Sequence, residues 1–287
     1  MTWFYFSIGA AIFLSTSDAF SKSALKVSDI YTVAWIRWAL ASPLLLSALL
    51  FIDIPELDGT FFIVTFAALP LEVAAILLYM KAISISPLSL TIPFLAFTPL
   101  FLLLTSYLIL GERTDGSGAA GIIAITMGAY LLNVRSMTKG GITAPLKMIL
   151  REKGSVLMIV VAFIYSITSN LGKIAVIHSS PLFFAAFYNF FLALLLMPFA
   201  LRKGREGLHA VRRKPFLFSA IGLFYGLMLI CHFSAIALVE VPYMIAVKRT
   251  SMIFSVFYGA MFFGEKGIAE RAAGSLLMLA GVALIMI

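Results

Sequence analysis

The chain is dominated by ten apolar runs, each about as long as a helix that crosses a lipid bilayer. A membrane-spanning helix needs roughly 20 apolar residues, and polar or Gly- and Pro-containing breaks separate consecutive runs. We therefore predict an all-α polytopic membrane protein with ten transmembrane helices. The runs lie at residues 3–24, 31–52, 60–80, 87–110, 117–134, 155–177, 181–201, 215–238, 242–263 and 268–287.

The composition excludes the main soluble alternatives. Of the 287 residues 62% are hydrophobic and only 12% are charged, whereas roughly a quarter of the residues of an ordinary soluble domain are charged. Cys231 is the single cysteine, which excludes a secreted disulfide scaffold. The chain is expected to lie almost wholly within a membrane.

The two halves of the chain match each other as an internal repeat. A shift of 153 residues places Gly111-Glu112-Arg113 on Gly264-Glu265-Lys266. A shift of 151 residues places Lys22 on Lys173. Each repeat would hold five spans, and because five is odd the second repeat must enter the membrane in the opposite orientation. Such inverted repeats are typical of secondary transporters.

The repeat divides the chain into three predicted segments. The first five-helix repeat is 1–134, a basic linker is 135–154, and the second five-helix repeat is 155–287. Glu112 and Glu265 precede the last helix of each repeat. A carboxylate there is expected to interact favourably with the positive dipole end of the helix that follows.

Basic residues are distributed unevenly over the connections. Those after odd-numbered runs carry nearly all of them, whereas Arg113 is the basic residue that follows an even-numbered run. Because Lys and Arg accumulate on cytoplasmic loops, we expect both termini outside, in a multi-pass protein of the cell (plasma) membrane. The net charge of +8 then needs no nucleic-acid partner. We also expect the basic cluster 202–214 to reach anionic headgroups of membrane lipids.

Several charged and polar side chains lie inside the apolar runs. Each charge near the centre of a span costs about 2.5–3.5 kcal/mol on insertion scales, so such residues usually face the bundle interior and serve a function. Asp18 and Glu72 are the predicted coupling residues, since a buried carboxyl can bind and release a proton. The predicted substrate-binding residues are Arg37, Asn170, Lys173, Tyr188, Asn189, Tyr225, Lys248 and Arg249.

Alternatives remain open for several of these side chains. Lys22 could reach the membrane interface from a helix end, or form a structural pair with Asp18 four residues away. Glu72 could pair with Arg37 across helices. The adjacent cations Lys248 and Arg249 have no neighbouring acid in sequence, so an anionic ligand or Glu72 is expected beside them.

Motifs of enzymes, metal sites and cofactor sites are absent from the sequence, which contains no P-loop, HExxH, CxxC or GxSxG. Gly116, Gly118 and Gly121 form a GxGxxG pattern, but it opens an apolar run and follows no strand. It is better interpreted, with Gly128, as a small-residue face for close helix packing, and Gly274 and Gly281 repeat that face in the second half. We expect no enzymatic activity and no cofactor.

The ten spans, the five-plus-five repeat and the Gly-Glu-Arg/Lys breaks resemble the drug/metabolite transporter superfamily, and its EamA-type members most of all. The resemblance covers essentially the whole chain. It implies a ten-helix transporter with a central site between its halves and alternating access. Its members commonly have cytoplasmic termini, which departs from the orientation indicated by the basic residues here.

Two shorter matches point to an anionic substrate. Phe187-Tyr188-Asn189-Phe190 resembles the FYNN motif of nucleotide-sugar transporters and departs from it at Phe190. Lys248-Arg249 is similar to a Lys-Arg pair that binds phosphate in plastid triose-phosphate transporters.

We therefore predict a secondary transporter of a small polar, anionic metabolite, with a coupling proton or a counter-substrate as a further partner. One alternative is a proton-coupled exporter of amino acids or cationic compounds that uses Asp18 and Glu72 as anchors. A lipid-type flippase and a channel are further alternatives.

Overall fold

The computed structural model describes residues 1–85, 92–137, 153–203, 205–263 and 268–287, and within these ranges every regular element is a helix. The short 3₁₀ segments are Leu49–Phe51 and Ile92–Phe97. The α-helices are α1 Thr2–Ala24, α2 Ile30–Ala39, α3 Ser42–Ala48, α4 Gly59–Ile85, α5 Thr98–Leu110, α6 Gly116–Met137, α7 Lys153–Ile177, α8 Pro181–Lys203, α9 Arg205–Arg213, α10 Pro215–Ile236, α11 Val241–Lys248, α12 Ser251–Phe263 and α13 Ile268–Met286.

The predicted apolar runs fall on these helices, and two of the runs are broken. The second run is α2 followed by α3, and Pro43, which has no N–H to donate, stands directly after the break. The ninth run is α11 followed by α12, with Arg249 and Thr250 between them. The start of the fourth run, at 87–91, lies outside the described residues.

Five helical segments are long and apolar enough to cross a membrane, and shorter apolar helices accompany them. The protein is therefore an all-helical, multi-pass membrane protein, while the number of ten crossings stays a prediction. The five segments are Ile30–Phe51, Gly59–Ala82, Lys153–Ile177, Pro181–Arg202 and Pro215–Ile236, and the shorter helices include Phe94–Leu110, Gly116–Leu131 and Ala273–Met286.

Aspartates in the connections fix several helix starts by accepting a backbone N–H that has no partner within the helix. Asp29 Oδ1 accepts from Thr32 N at 2.9 Å at the start of α2. Asp58 does the same for α4, and Asp115 for α6. At the other end of a helix, Gly111 closes α5 with a φ of 71°, which glycine adopts without a steric penalty.

Glu112 stabilises a different helix from the one expected. Its Oε2 accepts the backbone N–H of Val241 at 2.9 Å, so its charge meets the amino end of α11, whereas Asp115 caps the following helix α6. The sequence could not show this contact, because proximity in sequence does not decide which helix end a side chain reaches. Its repeat counterpart Glu265 lies outside the described residues.

The chain forms two compact units, and each takes segments from both halves of the sequence. Unit 1 is Met1–Val73 with Leu171–Leu238, and unit 2 is Ala74–Asn170 with Val239–Ile287. This division in space differs in kind from the predicted sequence repeats, whose boundaries stay a prediction. Most of the predicted linker, 138–152, lies outside the described residues.

In unit 1, α1 packs along α10. The Ser17 hydroxyl donates to the backbone carbonyl of Ile221 at 3.0 Å, which ties the two helices together at a buried position. Next to it, Gly222 leaves room for Leu40, which directly follows α2, because a Cβ on Gly222 would overlap that residue. These contacts hold α1, α2 and α10 in fixed register.

In unit 2, α6 and α13 pack through small residues, as the glycine pattern predicts. A Cβ on Gly121 would lie 2.6 Å from the carbonyl oxygen of Gly281, and a Cβ on Gly128 would lie 2.6 Å from that of Gly274. The repeat shift of 153 residues converts Gly121 into Gly274 and Gly128 into Gly281. The two contacts therefore exchange with each other, as they would about a two-fold axis.

Candidate substrate site

An ion pair inside unit 1 joins α1 to α2. Arg37 Nη2 donates to Asp18 Oδ1 at 2.6 Å and to Ser21 Oγ at 3.0 Å. The Asp18 side chain is 46% exposed and that of Arg37 is 23% exposed. Because an exposed charge in lipid is costly, these side chains are expected to face a polar crevice.

Aromatic rings lie beside the guanidinium of Arg37. Its Cζ is 5.1 Å from the centroid of the Tyr225 ring, a cation–π distance. The Trp38 ring meets Tyr225 edge to face at 4.9 Å. Glu72, the other carboxylate predicted for coupling, lies half-buried on α4 in the same unit.

Asn189 holds the break between α2 and α3. Its buried Nδ2 donates to the carbonyl oxygen of Trp38 at 3.0 Å and to Ser42 Oγ at 2.8 Å. Among the described residues, no donor lies within hydrogen-bond distance of its Oδ1. Asn189 thus fixes the helix that carries Arg37, and keeps one buried acceptor oxygen besides.

The two remaining predicted residues of unit 1 lie on α7 and α8. Tyr188 is buried, and its ring stacks on Phe184 with centroids 5.0 Å apart. Lys173 is half-buried near the carboxyl end of α7. Both side chains also interact with other groups of the protein.

The predicted cations of unit 2 lie at the break in the ninth run. Lys248 is the last residue of α11, and Arg249 follows it. Arg249 Nη2 donates to Thr98 Oγ1 at 2.9 Å, and Thr98 is the first residue of α5. The repeat shift converts Thr98 into Ser251, the first residue of α12, so Arg249 connects the starts of two equivalent helices.

Asn170 is enclosed by side chains of its own unit. It is 0% exposed, and its Oδ1 accepts from Ser106 Oγ at 2.6 Å. Its Nδ2 donates to Thr105 Oγ1 at 3.1 Å and to the Ser166 carbonyl at 2.9 Å. Both ends of the amide therefore join α7 to α5, and its predicted role in substrate binding stays a prediction.

The structure brings together Asp18, Arg37 and Tyr225 in unit 1, while Asn170 and Arg249 make their contacts in unit 2. Ser21, Trp38 and Thr98 were missed by sequence reasoning. Ser21 carried a usable signal, because it follows Asp18 by three residues and so lies on the same helix face. In the part of the chain that is described, no three His, Cys, Asp or Glu side chains are grouped to hold a metal ion.

Comparisons with known proteins find a similar fold and a matching family. A solved crystal structure, described only as that of a protein, is 15% identical and has a TM-score of 0.74, over 100% of this chain and 99% of that one. No curated protein sequence matches the chain. The model of the EamA-like transporter family matches residues 1–134 and 152–287.

The long apolar helices define a multi-pass membrane protein. The chain belongs to the EamA-like transporter family. It is consequently a transporter of a small-molecule substrate and not an enzyme, and the resemblance to the drug/metabolite transporters is confirmed.

Proposed function

We propose that the protein is a secondary transporter that moves a small polar, anionic metabolite across the cell membrane by alternating access. The observation that carries the proposal is Arg37, which is partly accessible and lies between the carboxylate of Asp18 and the ring of Tyr225. Arg249 is a second guanidinium at a helix break, in unit 2.

The chemistry around Arg37 suits a carboxylate or phosphate group. A guanidinium binds such groups through charge-assisted and often paired hydrogen bonds. The Tyr225 ring, which Trp38 contacts edge to face, packs against the guanidinium and fixes the position of its charge. The unfilled acceptor Asn189 Oδ1 suits a hydroxyl donor, so a polar anion matches this set better than a hydrocarbon acid does.

The ion pair also supports a coupling mechanism. Asp18 already forms an ion pair with Arg37, with 2.6 Å between Oδ1 and Nη2, so a substrate anion must compete with this carboxylate. Asp18, once displaced from Arg37, is the residue that we assign to proton coupling. The proton and the anion would then move together, and Glu72, half-buried on α4, is the second acid that we assign to coupling.

Ten spans in two inverted five-helix repeats form the architecture of this proposal. The reciprocal glycine contacts of α6 and α13 support it. So do α5 and α12, since Thr98–Leu110 and Ser251–Phe263 correspond under one shift of 153 residues. The basic connections favour non-cytoplasmic termini in the plasma membrane.

A zwitterionic amino acid is the second candidate substrate. Asp18 and Arg37 offer opposite charges 2.6 Å apart, which matches an ammonium and a carboxylate on one small molecule. In that case the protein is a proton-coupled exporter or importer of amino acids, and Asp18 is a substrate ligand as well.

A ligand screen by thermal unfolding of the purified protein separates these candidates. The panel contains phosphorylated sugars, nucleotide sugars, carboxylates, amino acids and quaternary amines. A ligand at about 100 times its dissociation constant stabilises the folded state by about 2.7 kcal/mol. We expect anions to stabilise the native protein and an Arg113→Gln control, but not Arg37→Gln.

The substitution Asp18→Asn distinguishes the two substrate classes. It should strengthen anion binding, because the carboxylate that competes for Arg37 is gone, but abolish the binding of an amino acid, whose ammonium group then lacks its partner. Stabilisation by quaternary amines alone would contradict both assignments.

A further inference from the structure

The short helix α9 lies between two membrane-spanning segments. The candidate spans Pro181–Arg202 and Pro215–Ile236 stand on either side of it. The intervening chain is too short to cross a bilayer, since a crossing needs roughly 20 helical residues. Both span ends and α9 must therefore lie at the same membrane surface.

The apolar face of α9 is already used inside the protein. Gly207, Leu208, Ala210 and Val211 fall on one half of the helix. Ala210 is buried in a cluster that includes Val33 of α2 and Phe218 of α10. A Cβ on Gly207 would overlap the Asp29 carboxylate and the Thr32 hydroxyl. The helix is thus docked closely on the start of α2, within unit 1.

The opposite face of α9 is basic and exposed. His209, Arg212, Arg213 and Lys214 are all exposed, as is Arg202 at the end of the preceding span. Phe216, on the first turn of α10, is 80% exposed beside them. An exposed aromatic ring next to a row of cations, at the end of a span, is the composition of a membrane interface.

We propose that this surface, which we call the α9 basic face (Arg202, His209, Arg212, Arg213, Lys214 and Phe216), binds the headgroups of anionic phospholipids. The proposal is independent of the transported substrate. The docked apolar side rules out insertion of α9 as a free amphipathic helix, because that side has no lipid to meet. The cations therefore remain at headgroup level, with the Phe216 ring on the acyl side.

Charge and apolar contact each contribute to such binding. A Lys or Arg near an anionic leaflet contributes about 1 kcal/mol, which is about a fivefold change in affinity. One apolar anchor together with a basic cluster supplies the two signals that stable contact with a lipid surface needs. Docking on α2 also connects the lipid contact to the helix that carries Arg37.

The test is a titration of the purified protein, in neutral detergent, with short-chain phosphatidylglycerol, and phosphatidylcholine as the uncharged lipid. Bound lipid is counted by native mass spectrometry. We expect phosphatidylglycerol to bind in preference to phosphatidylcholine. Arg212→Gln/Arg213→Gln should weaken its binding about 25-fold, at about fivefold for each charge. The matched control Lys81→Gln/Lys153→Gln removes two exposed cations elsewhere and should leave binding unchanged.

A second measurement uses the unmodified protein, so that it does not depend on the folding of a variant. A photoreactive phosphatidylglycerol should label the segment 201–216. Equal weakening by both double variants, or labelling confined to other segments, would overturn the proposal. The proposal would also be overturned if soluble glycerol phosphate displaced bound phosphatidylglycerol as effectively as the lipid itself does. The site would then bind a free phosphate and not a lipid.

Discussion

Arg37 and Asp18 form an ion pair, 2.6 Å between Nη2 and Oδ1, that joins α1 to α2 within the apolar part of the chain. The Tyr225 ring covers the guanidinium from α10, so three helices of unit 1 meet at this pair. A charge on one helix thereby finds its counter-charge on another, and a substrate anion offers the same chemistry as the carboxylate that it displaces.

The first prediction concerns the shape of the Arg37 cation. Arg37→Lys keeps the charge but loses the planar fork that can hold two oxygens. We expect substrate binding about tenfold weaker, which is about 1.4 kcal/mol, as measured by the ligand dependence of thermal unfolding. Arg113→Lys, in an exposed connection, serves as the control. Equal affinity in Arg37→Lys would show that only the charge of Arg37 matters.

The second prediction tests the contact between Arg249 and Thr98. Thr98→Val removes the hydroxyl that accepts from Arg249 Nη2 at 2.9 Å. A hydrogen bond to a charged group contributes about 1.5–3 kcal/mol, so the free energy of unfolding should fall by about that amount. Thr126→Val is the matched control, since its hydroxyl donates only to the carbonyl of Ile122 in its own helix. Equal stability of both variants would mean that the Arg249 contact contributes nothing.

The third prediction tests the close packing of α6 on α13. Gly121→Ala places a methyl group 2.6 Å from the carbonyl oxygen of Gly281, and a backbone atom cannot move away as a flexible side chain can. Overpacking of this kind costs typically about 1–3 kcal/mol. Gly116→Ala, where a Cβ has nothing within 4 Å, should be neutral or slightly stabilising. Similar unfolding temperatures for both variants would contradict the contact.

The fourth prediction separates a structural role from a binding role for Asn170. Asn170→Leu leaves the buried hydroxyls of Ser106 and Thr105 without their partner, at a cost of about 1–3 kcal/mol for each unsatisfied group. Ser169→Ala loses only a bond to the carbonyl of Tyr165 in its own helix, and should change stability much less. A variant that unfolds normally but no longer binds ligand would instead assign Asn170 to the substrate.

The fifth prediction is a pH dependence at the start of α4. The backbone N–H of Phe61 holds the pKa of Asp58 below its usual value, opposed by some burial and assisted by a hydrogen bond to His178 at 2.7 Å. A lowered pKa in the folded state means that the contribution is present above the unfolded pKa and is lost as pH falls through the folded one. The unfolding temperature should therefore fall in acid, and Asp58→Asn should weaken that dependence, whereas Asp53→Asn in the same connection should not. An unchanged acid profile in Asp58→Asn would refute this role.

Much of the helical framework could be predicted, because apolar length and helix breaks are local properties of the sequence. The predicted runs fall on helices, and the glycines repeated at 121, 128, 274 and 281 make the predicted close contacts. A partner for the charged side chains of the first and second runs could also be expected, since a charge within an apolar run needs one wherever it lies.

The choice of partners could not be predicted from the sequence. Helical spacing shows which face a side chain occupies, but not which helix lies opposite that face. Glu72 was considered as a partner of Arg37 and Lys22 as a partner of Asp18, whereas the pair between Arg37 and Asp18 was not anticipated. Asn170 was assigned to the substrate because it lies in a polar stripe of its own helix. The hydroxyls that enclose it come from the neighbouring helix α5, which the spacing within one helix cannot reveal.

Transport itself gives the most direct test of the central claim, that an anion competes with Asp18 for Arg37. The measurement is uptake, by reconstituted proteoliposomes, of the anion that stabilises the protein most, with and without an inward proton gradient. We expect the gradient to accelerate uptake by the native protein. Asp18→Asn should still exchange the anion but ignore the gradient, and Arg37→Gln should do neither. Gradient-driven uptake that persists in both variants would contradict the claim.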